Sequence, residues 1–359
     1  MLRKSIMILL AAAGITLGAR LDRVDLEHPR LAQALRIPAG DIRIDGVIDD
    51  EAWQSALFFS DFVQRDPIEG DAPTENTEFA VLYDDEYLYV GIQAHDSQPG
   101  GIRSILSRRD EETPSDWVHI SLDSYGDNRT AFEFWLNPQG VKRDIRRFND
   151  SEEDINWDAI WDGKTSVHRS GWSAEFRIPF RELRFSGQIN QSWGLQVYRH
   201  ISRKNEDIYW TYWPKEQAGR VRHYGRLTQL NSIPRQRRVY VAPYITGKYA
   251  VSEQYVTAFD SRNYRQEPNL GADIKVGVTN NLTLDVTVNP DFGQVEADPA
   301  VLVLSDFETF YEEKRPFFVE GSNIFHFPLA FGGNNQNLFY SRRIGRKPQR
   351  HIYGADHAE

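Results

Sequence analysis

The sequence predicts an all-β protein: an antiparallel, jelly-roll-like β-sandwich followed by antiparallel strands of an incomplete β-barrel. Three observations predict it. From Ile42 onward the apolar residues fall in short runs of period two, broken by Gly, Pro, Asn and Asp, with no long helices between them. Aromatic residues make up 13% of the chain, a load that strands accommodate better than helices do. Beyond Arg238 the runs lengthen to about ten residues with tyrosines near their ends, which suits a transmembrane barrel wall.

In chain order, Arg3 and Lys4 precede an apolar stretch from Ile6 to Leu17 and a small-residue cut at Leu17-Gly18-Ala19. That layout predicts a cleaved export signal over residues 1–19. The apolar run is too short for a comfortable transmembrane helix. Residues 20–37 read as a charged connector with weak helical spacing. The sandwich is expected over residues 38–232, with its clearest strands at 78–83, 87–95, 117–123, 130–137, 171–178 and 192–201. A short helix is expected at 49–55, capped by Asp49. Asp84-Asp85 reads as a hairpin turn, and Trp172 and Trp193 read as core. Ile233-Pro234 and three arginines mark a boundary near 231–238. In residues 233–359 the stretches 238–250, 269–278 and 281–289 alternate, the last two joined by a turn at Thr279-Asn280-Asn281. A barrel in lipid needs about eight strands or more, because no edge can stay open there. The region therefore reads as the start of a truncated barrel, with an ordinary soluble sheet as the alternative.

Three ordered stretches carry a family resemblance. They are Ile44-Asp45-Gly46-Val47-Ile48-Asp49-Asp50-Glu51-Ala52-Trp53; Val81-Leu82-Tyr83-Asp84-Asp85-Glu86-Tyr87-Leu88-Tyr89-Val90; and Asp116-Trp117-Val118-His119-Ile120-Ser121-Leu122-Asp123 with Gly171-Trp172-Ser173-Ala174-Glu175-Phe176-Arg177-Ile178-Pro179. Together they resemble the family 9 carbohydrate-binding modules attached to xylanases, a DOMON-like β-sandwich, over a little more than half the chain. Tyr224-Gly225-Arg226-Leu227 is similar to their last strand. The resemblance implies non-catalytic carbohydrate binding in polysaccharide capture or carbohydrate catabolism. A second set runs Asn289-Pro290-Asp291-Phe292-Gly293-Gln294-Val295-Glu296-Ala297-Asp298, Glu312-Glu313-Lys314-Arg315-Pro316-Phe317-Phe318-Val319-Glu320-Gly321 and Tyr340-Ser341-Arg342-Arg343-Ile344-Gly345. It resembles an uncharacterised family of bacterial outer-membrane proteins in which such a module precedes a β-barrel. That likeness implies placement in the outer membrane, cell surface or periplasm of a Gram-negative bacterium. It also leaves an alternative open, a barrel protein whose sandwich is a structural accessory without sugar affinity.

At the sugar site the sequence departs from the family. In the xylanase modules two tryptophans sandwich the terminal sugar, supported by a Glu and an Arg. Pairing the motifs places those rings near Thr113 and Ala218, the Glu at His119 and the Arg at Trp135. Alternation offers a replacement. It puts Trp117, His119 and Ser121 on one side of a strand and Glu133, Trp135 and Asn137 on one side of the next. The apolar faces Val118, Ile120, Leu122 and Phe132, Phe134, Leu136 are left for the core. Sugars need ring faces for their C–H surfaces and polar groups for their hydroxyls. The expected carbohydrate-binding residues are therefore Trp117, His119, Glu133 and Trp135, with Arg109 and Arg129 from adjoining loops. The alternative is that these rings pack beneath a long loop at 140–158. Trp157 and Trp161 form a secondary aromatic pair, suited to stacking or to core. Asp150, Glu152, Glu153 and Asp154 make an acidic loop; oxygen-rich loops can hold Ca2+, but this one lacks EF-hand spacing, and no cofactor is assigned.

The formal charge of −10 gives no general pull on phosphates, so no nucleic-acid partner is expected. Arg342, Arg343, Arg346, Lys347 and Arg350 read as a solvated basic loop. The absence of Cys removes disulfides, thiolate metal sites and Cys nucleophiles. No nucleophile elbow, zinc-binding His pair or phosphate loop is present. No catalytic residue is assigned, and glycoside hydrolysis ranks behind both binding and a membrane role. The expected partners are a polysaccharide or other glycan and, through the C-terminal region, the outer membrane.

Overall fold

Strict alternation between inward and outward residues builds two sheets whose inner faces meet. The computed structural model describes residues 29–234, 239–251, 264–278, 283–289, 313, 318 and 340–343. The expected export signal, most of the second resemblance and most of the basic stretch lie outside them.

The first sheet runs β8 (Glu152–Asp154), β7 (Lys142–Phe148), β6 (Ala131–Leu136), β5 (Trp117–Asp123), β11 (Asn190–Ile201) and β13 (Gly225–Asn231). β12 (Glu206–Tyr209) shares the edge of β11 with β13, and β2 (Val63–Asp66) adds beyond β12. The second sheet runs β3 (Thr77–Tyr83), β4 (Tyr87–His95), β10 (Gly171–Pro179) and β9 (Asp162–His168). β1 (Leu31–Arg36) joins the two. Leu31–Gln33 pairs parallel with β13, and Ala34–Arg36 pairs parallel with β3. Its small inward residues, Ala32 and Ala34, fit where the layers converge, and both are buried.

Between the layers lies one apolar core that takes Val118, Ile120 and Leu122 from β5 and Phe132, Phe134 and Leu136 from β6. It takes Phe79, Val81, Val90, Ile92, Ala174 and Phe176 from the opposing sheet. Trp172 and Trp193 are both fully buried in it, as the sequence predicts.

A covering segment closes the outer face of the second sheet. Ile37, Ile42 and Trp53 pack on Ala80, Leu82 and Tyr89. Glu175 on β10 fixes this cover. Its carboxylate accepts the N–H groups of Asp45 and Gly46 at 3.0 and 2.8 Å and the indole N–H of Trp53 at 3.0 Å. Burial pushes the Glu175 pKa up to about 7, against the opposing effect of those donors. Two distant family-like motifs, the Asp45-Gly46 turn and the Glu175 strand, are thus one docking device.

Four local expectations are corrected. The helix α1 is a single turn, Glu51–Gln54, capped in position by Asp50 without a side-chain cap bond. The Asp50 carboxylate instead accepts the Arg43 N–H at 3.0 Å, and the docking of Trp53 sets the segment's path. Residues 31–36, read as connector, form the strand β1. The expected loop at 140–158 holds β7 and β8.

A separate antiparallel sheet follows, β14 (Val239–Val251), β15 (Tyr264–Gly277) and β16 (Thr283–Val288), at the alternating stretches. The register aligns Val241, Ile274 and Val286 across it, as it does Val239, Val276 and Leu284. The opposite face aligns Tyr240, Lys275 and Asp285. Near its start Tyr240 is tied to the sandwich, where its hydroxyl accepts from Arg181 at 3.0 Å and donates to Glu182. Three strands make up this sheet among the described residues, and closure into a barrel is not seen in them.

Candidate functional site

The outward face of the first sheet is aromatic and polar, whereas that of the second carries the apolar patch Ala80, Leu82 and Tyr89 beneath its cover. Cross-strand pairing sets His119 opposite Trp135 and Ser121 opposite Glu133 between β5 and β6. On the other side of β5, Tyr198 and His200 of β11 stand opposite His119 and Trp117. Trp117, His119, Glu133 and Trp135 are therefore brought together, as alternation suggests.

The rings form a ladder. Trp117 meets Trp135 edge-on at 6.4 Å, and Trp135 lies 4.0 Å from the His119 ring. Tyr198 stacks on His119 at 4.7 Å and touches Trp135 at 5.3 Å. Tyr209 follows at 4.8 Å, Trp213 at 5.1 Å, and His223 lies parallel to Trp213 at 5.7 Å. Trp135 is the tryptophan of this ladder that remains half-exposed; Trp117 and Trp213 are buried.

Beneath the rings sits a buried ion cluster. Glu133 is fully buried and takes a two-pronged pair from Arg147, whose Nη2 lies at 3.2 Å, with Arg220 at 3.7 Å. Burial alone would raise the Glu133 pKa, but the two guanidiniums outweigh it and hold the group well below the carboxylate range. Ser121 and the Tyr224 hydroxyl share a 2.7 Å bond beside it. Burial drives His119 well below the ordinary imidazole pKa, so the ring is neutral. Neither of its nitrogens has a hydrogen-bond partner among the described residues.

The cover over this face is the segment that leaves β12 after Tyr209 and runs to Tyr224, not the 140–158 stretch. Asp150 anchors it, accepting the N–H groups of Arg220 and Arg222 at 2.9 and 3.1 Å and the Arg222 side chain. The other residues of the acidic loop are likewise engaged by the protein's own side chains. Asp154 pairs with Arg146, Glu153 with Arg147 and Glu152 with Asn149, so the loop's oxygens face guanidiniums and an amide. Among the described residues no group of three His, Asp or Glu is arranged to hold a metal.

The expected place of Arg109 in the site is corrected, and the structure decides between the two readings of Trp157 and Trp161. Arg109 turns to the core side of β7, bonding Asp144 at 2.6 Å and the Ala159 carbonyl at 2.7 Å, because that buried carboxylate needs a partner. Burial lifts the Asp144 pKa to about 6 despite that partner. Arg129 is exposed in its loop and reaches Asn149 at 3.2 Å. Trp157 packs on Phe132 and Phe134, and Trp161 stacks on Phe176 at 5.8 Å, so this pair belongs to the core. Sequence reasoning missed Tyr198, Tyr209, Trp213, Arg147, Arg220 and Tyr224. The signal for Tyr198 was present, since it alternates with the core residues Leu195 and Val197 on β11.

The two positions where the resemblance expected sugar-stacking tryptophans lie at the ends of this ladder. The Thr113 carbonyl accepts the Trp117 indole N–H at 3.1 Å, and the Ala218 carbonyl is 3.1 Å from His223 Nε2.

The family described as carbohydrate family 9 binding domain-like matches residues 44–226, and a domain of unknown function (DUF5916) matches residues 236–359. No curated protein matches. Among solved structures, a carbohydrate binding module family 9 from Caldicellulosiruptor kristjanssonii in complex with cellotriose is similar, at 17% identity and TM-score 0.41. It covers 55% of this chain and 93% of its own. The same organism's module in complex with glucose gives 18% identity and TM-score 0.40, over 54% of this chain and 94% of that one. A putative carbohydrate-binding protein from Bacteroides uniformis gives 12% and 0.44, over 56% and 99%.

Proposed function

This chain belongs to the carbohydrate family 9 binding domain-like family through residues 44–226, and from that membership we propose that its sandwich binds carbohydrate without catalysis. The observation that carries the reading is the ring ladder on the outer face of the first sheet. Rings from strands β5, β6, β11 and β12 and from the cover lie between Thr113 and Ala218, the positions where the resemblance expects tryptophans. The half-exposed Trp135 offers a stacking surface, and Arg143 and Arg220 supply donors for hydroxyls. The role is capture of polysaccharide at the envelope of an exported protein, in carbohydrate catabolism. Glycan-array binding by the full chain tests it. Saturable binding to a defined glycan class is the expected result, and a folded chain that binds no glycan overturns the reading.

The C-terminal sheet favours a second reading that is compatible with the first, anchorage in the outer membrane. Val239, Val241, Ile245 and Val251 of β14, Leu270 of β15 and Leu284, Val286 and Val288 of β16 are all exposed, and the register puts them on one face. β14 has 13 residues and β15 has 14. At about 3.3 Å per residue and a tilt near 45°, such strands cross roughly 30 Å, the thickness of a bilayer's hydrocarbon core. Fractionation of expressing cells checks it. The chain is expected with the outer membrane after carbonate washing, and recovery in the soluble fraction contradicts it. If that anchorage holds and no glycan binds, the sandwich is a structural accessory.

A further inference from the structure

We infer that the saccharide taken by this face is anionic, carrying a carboxylate or sulfate ester on the sugar ring; this rests on the carbohydrate reading above. Arg143 sits 5.6 Å above the Trp135 ring, Arg65 4.3 Å above Trp213, and Arg220 5.8 Å above Tyr209. Three members of the ladder therefore carry a guanidinium over one face. A saccharide that reaches these rings therefore meets guanidinium groups beside them.

These arginines have donor capacity to spare. Arg65 bonds the Trp213 carbonyl at 2.8 Å and has no carboxylate within ion-pair distance among the described residues. Arg143 pairs with Glu112 at 3.0 Å, and that glutamate is 77% exposed, so water competes for the pair. Arg220 reaches Glu133 at 3.7 Å, while its buried Nε has no partner among the described residues. The nearby carboxylates are already engaged. Glu133 is held by Arg147, Asp207 accepts from Tyr198 at 2.6 Å and His200 at 2.7 Å, and Glu69 accepts from Tyr212 at 2.9 Å and the Lys215 N–H. His119 stays neutral and adds no charge.

Guanidinium forks match planar carboxylates and sulfate oxygens in a way that single hydroxyls do not. The ring steps between Trp135 and Trp213, 5.3, 4.8 and 5.1 Å, put the two guarding arginines at most a few pyranose lengths apart. A short acidic oligosaccharide spans that distance with an anionic group at each arginine. The whole chain carries a formal charge of −10, so attraction of an acidic polymer must come from this local grouping and not from the general field.

The test is calorimetric titration of the full chain with four tetrasaccharides: tetragalacturonate, its fully methyl-esterified form, a sulfated carrageenan fragment and its desulfated form. At least tenfold tighter binding of one acidic member than of its neutral twin is expected. That preference should fall as NaCl rises from about 20 to 300 mM. It should also shrink several-fold in both Arg65→Gln and Arg143→Gln. Which acidic member binds tells carboxylate from sulfate. Equal or tighter binding of the neutral twins, or of cellotetraose alone, overturns the anionic assignment and leaves the carbohydrate reading intact. No binding to any of these sugars, nor to a neutral glycan panel, overturns both.

Discussion

Glu133→Ala is expected to lower folding stability by on the order of 3–5 kcal/mol, because it strips the carboxylate from a buried ion cluster and leaves its arginines behind. Arg147 is 3% exposed and Arg220 is 21% exposed, so neither guanidinium can recover its hydration where it stands. The damage spreads through the cover. Arg220 sits over Tyr209 and follows the Gly219 turn, and Asp150 clamps its backbone N–H. A displaced Arg220 therefore loosens the segment over the ring ladder. Glu153→Ala is the matched control. It removes the second carboxylate on Arg147, but Glu153 is 41% exposed, so a loss below about 1 kcal/mol is expected. Urea denaturation of both variants, followed by the tryptophan signal, measures the difference. Equal small losses would mean that the cluster is hydrated.

Gly46→Ala is expected to cost on the order of 3 kcal/mol, from backbone strain and a steric clash acting together. Gly46 has φ +91°, and an added Cβ would lie 2.5 Å from the Thr165 carbonyl carbon and 2.7 Å from its N and O. Backbone cannot swing aside as a side-chain tip can. The turn must lift, breaking the bonds from Asp45 and Gly46 to Glu175 and unseating Trp53. Gly40 separates the two effects. It has φ +87° with nothing within 4 Å of an added Cβ, so Gly40→Ala carries the strain alone, about 1 kcal/mol. Similar losses at the two positions would mean that the Gly46 turn does not pack on β9.

The faces of β5 and β6 were legible because strict period-two alternation sorts Val118, Ile120 and Leu122 from Trp117, His119 and Ser121 whatever the surroundings. The burial of Trp172 and Trp193 followed from the same rule. β1 was not legible. Its inward residues are alanines and its outward ones are polar or exposed, so six residues give almost no hydrophobic contrast. Its pairing partners, β13 and β3, lie far along the chain. Arg109 misled because it follows the loop that leads to β5, whereas a buried carboxylate on β7 decides where it points. Trp157 and Trp161 were ambiguous since their shared face could have been either side of the sheet; contact with Phe132, Phe134 and Phe176 settles it. Half of the site escaped for a topological reason. Tyr209 ends the short strand β12, and Trp213 and Arg220 lie in the segment after it that departs from strand period; only the fold carries them back over β5 and β6.

Trp135 is the half-buried ring between the buried ladder and solvent. Its test is the affinity of the full chain and of Trp135→Ala for the glycan that the wild type binds, with circular dichroism confirming that both fold. The expected result is a folded variant whose affinity falls by roughly 10- to 100-fold, the measure of a lost stacking ring. Unchanged affinity in the folded variant would place the carbohydrate elsewhere and contradict the site.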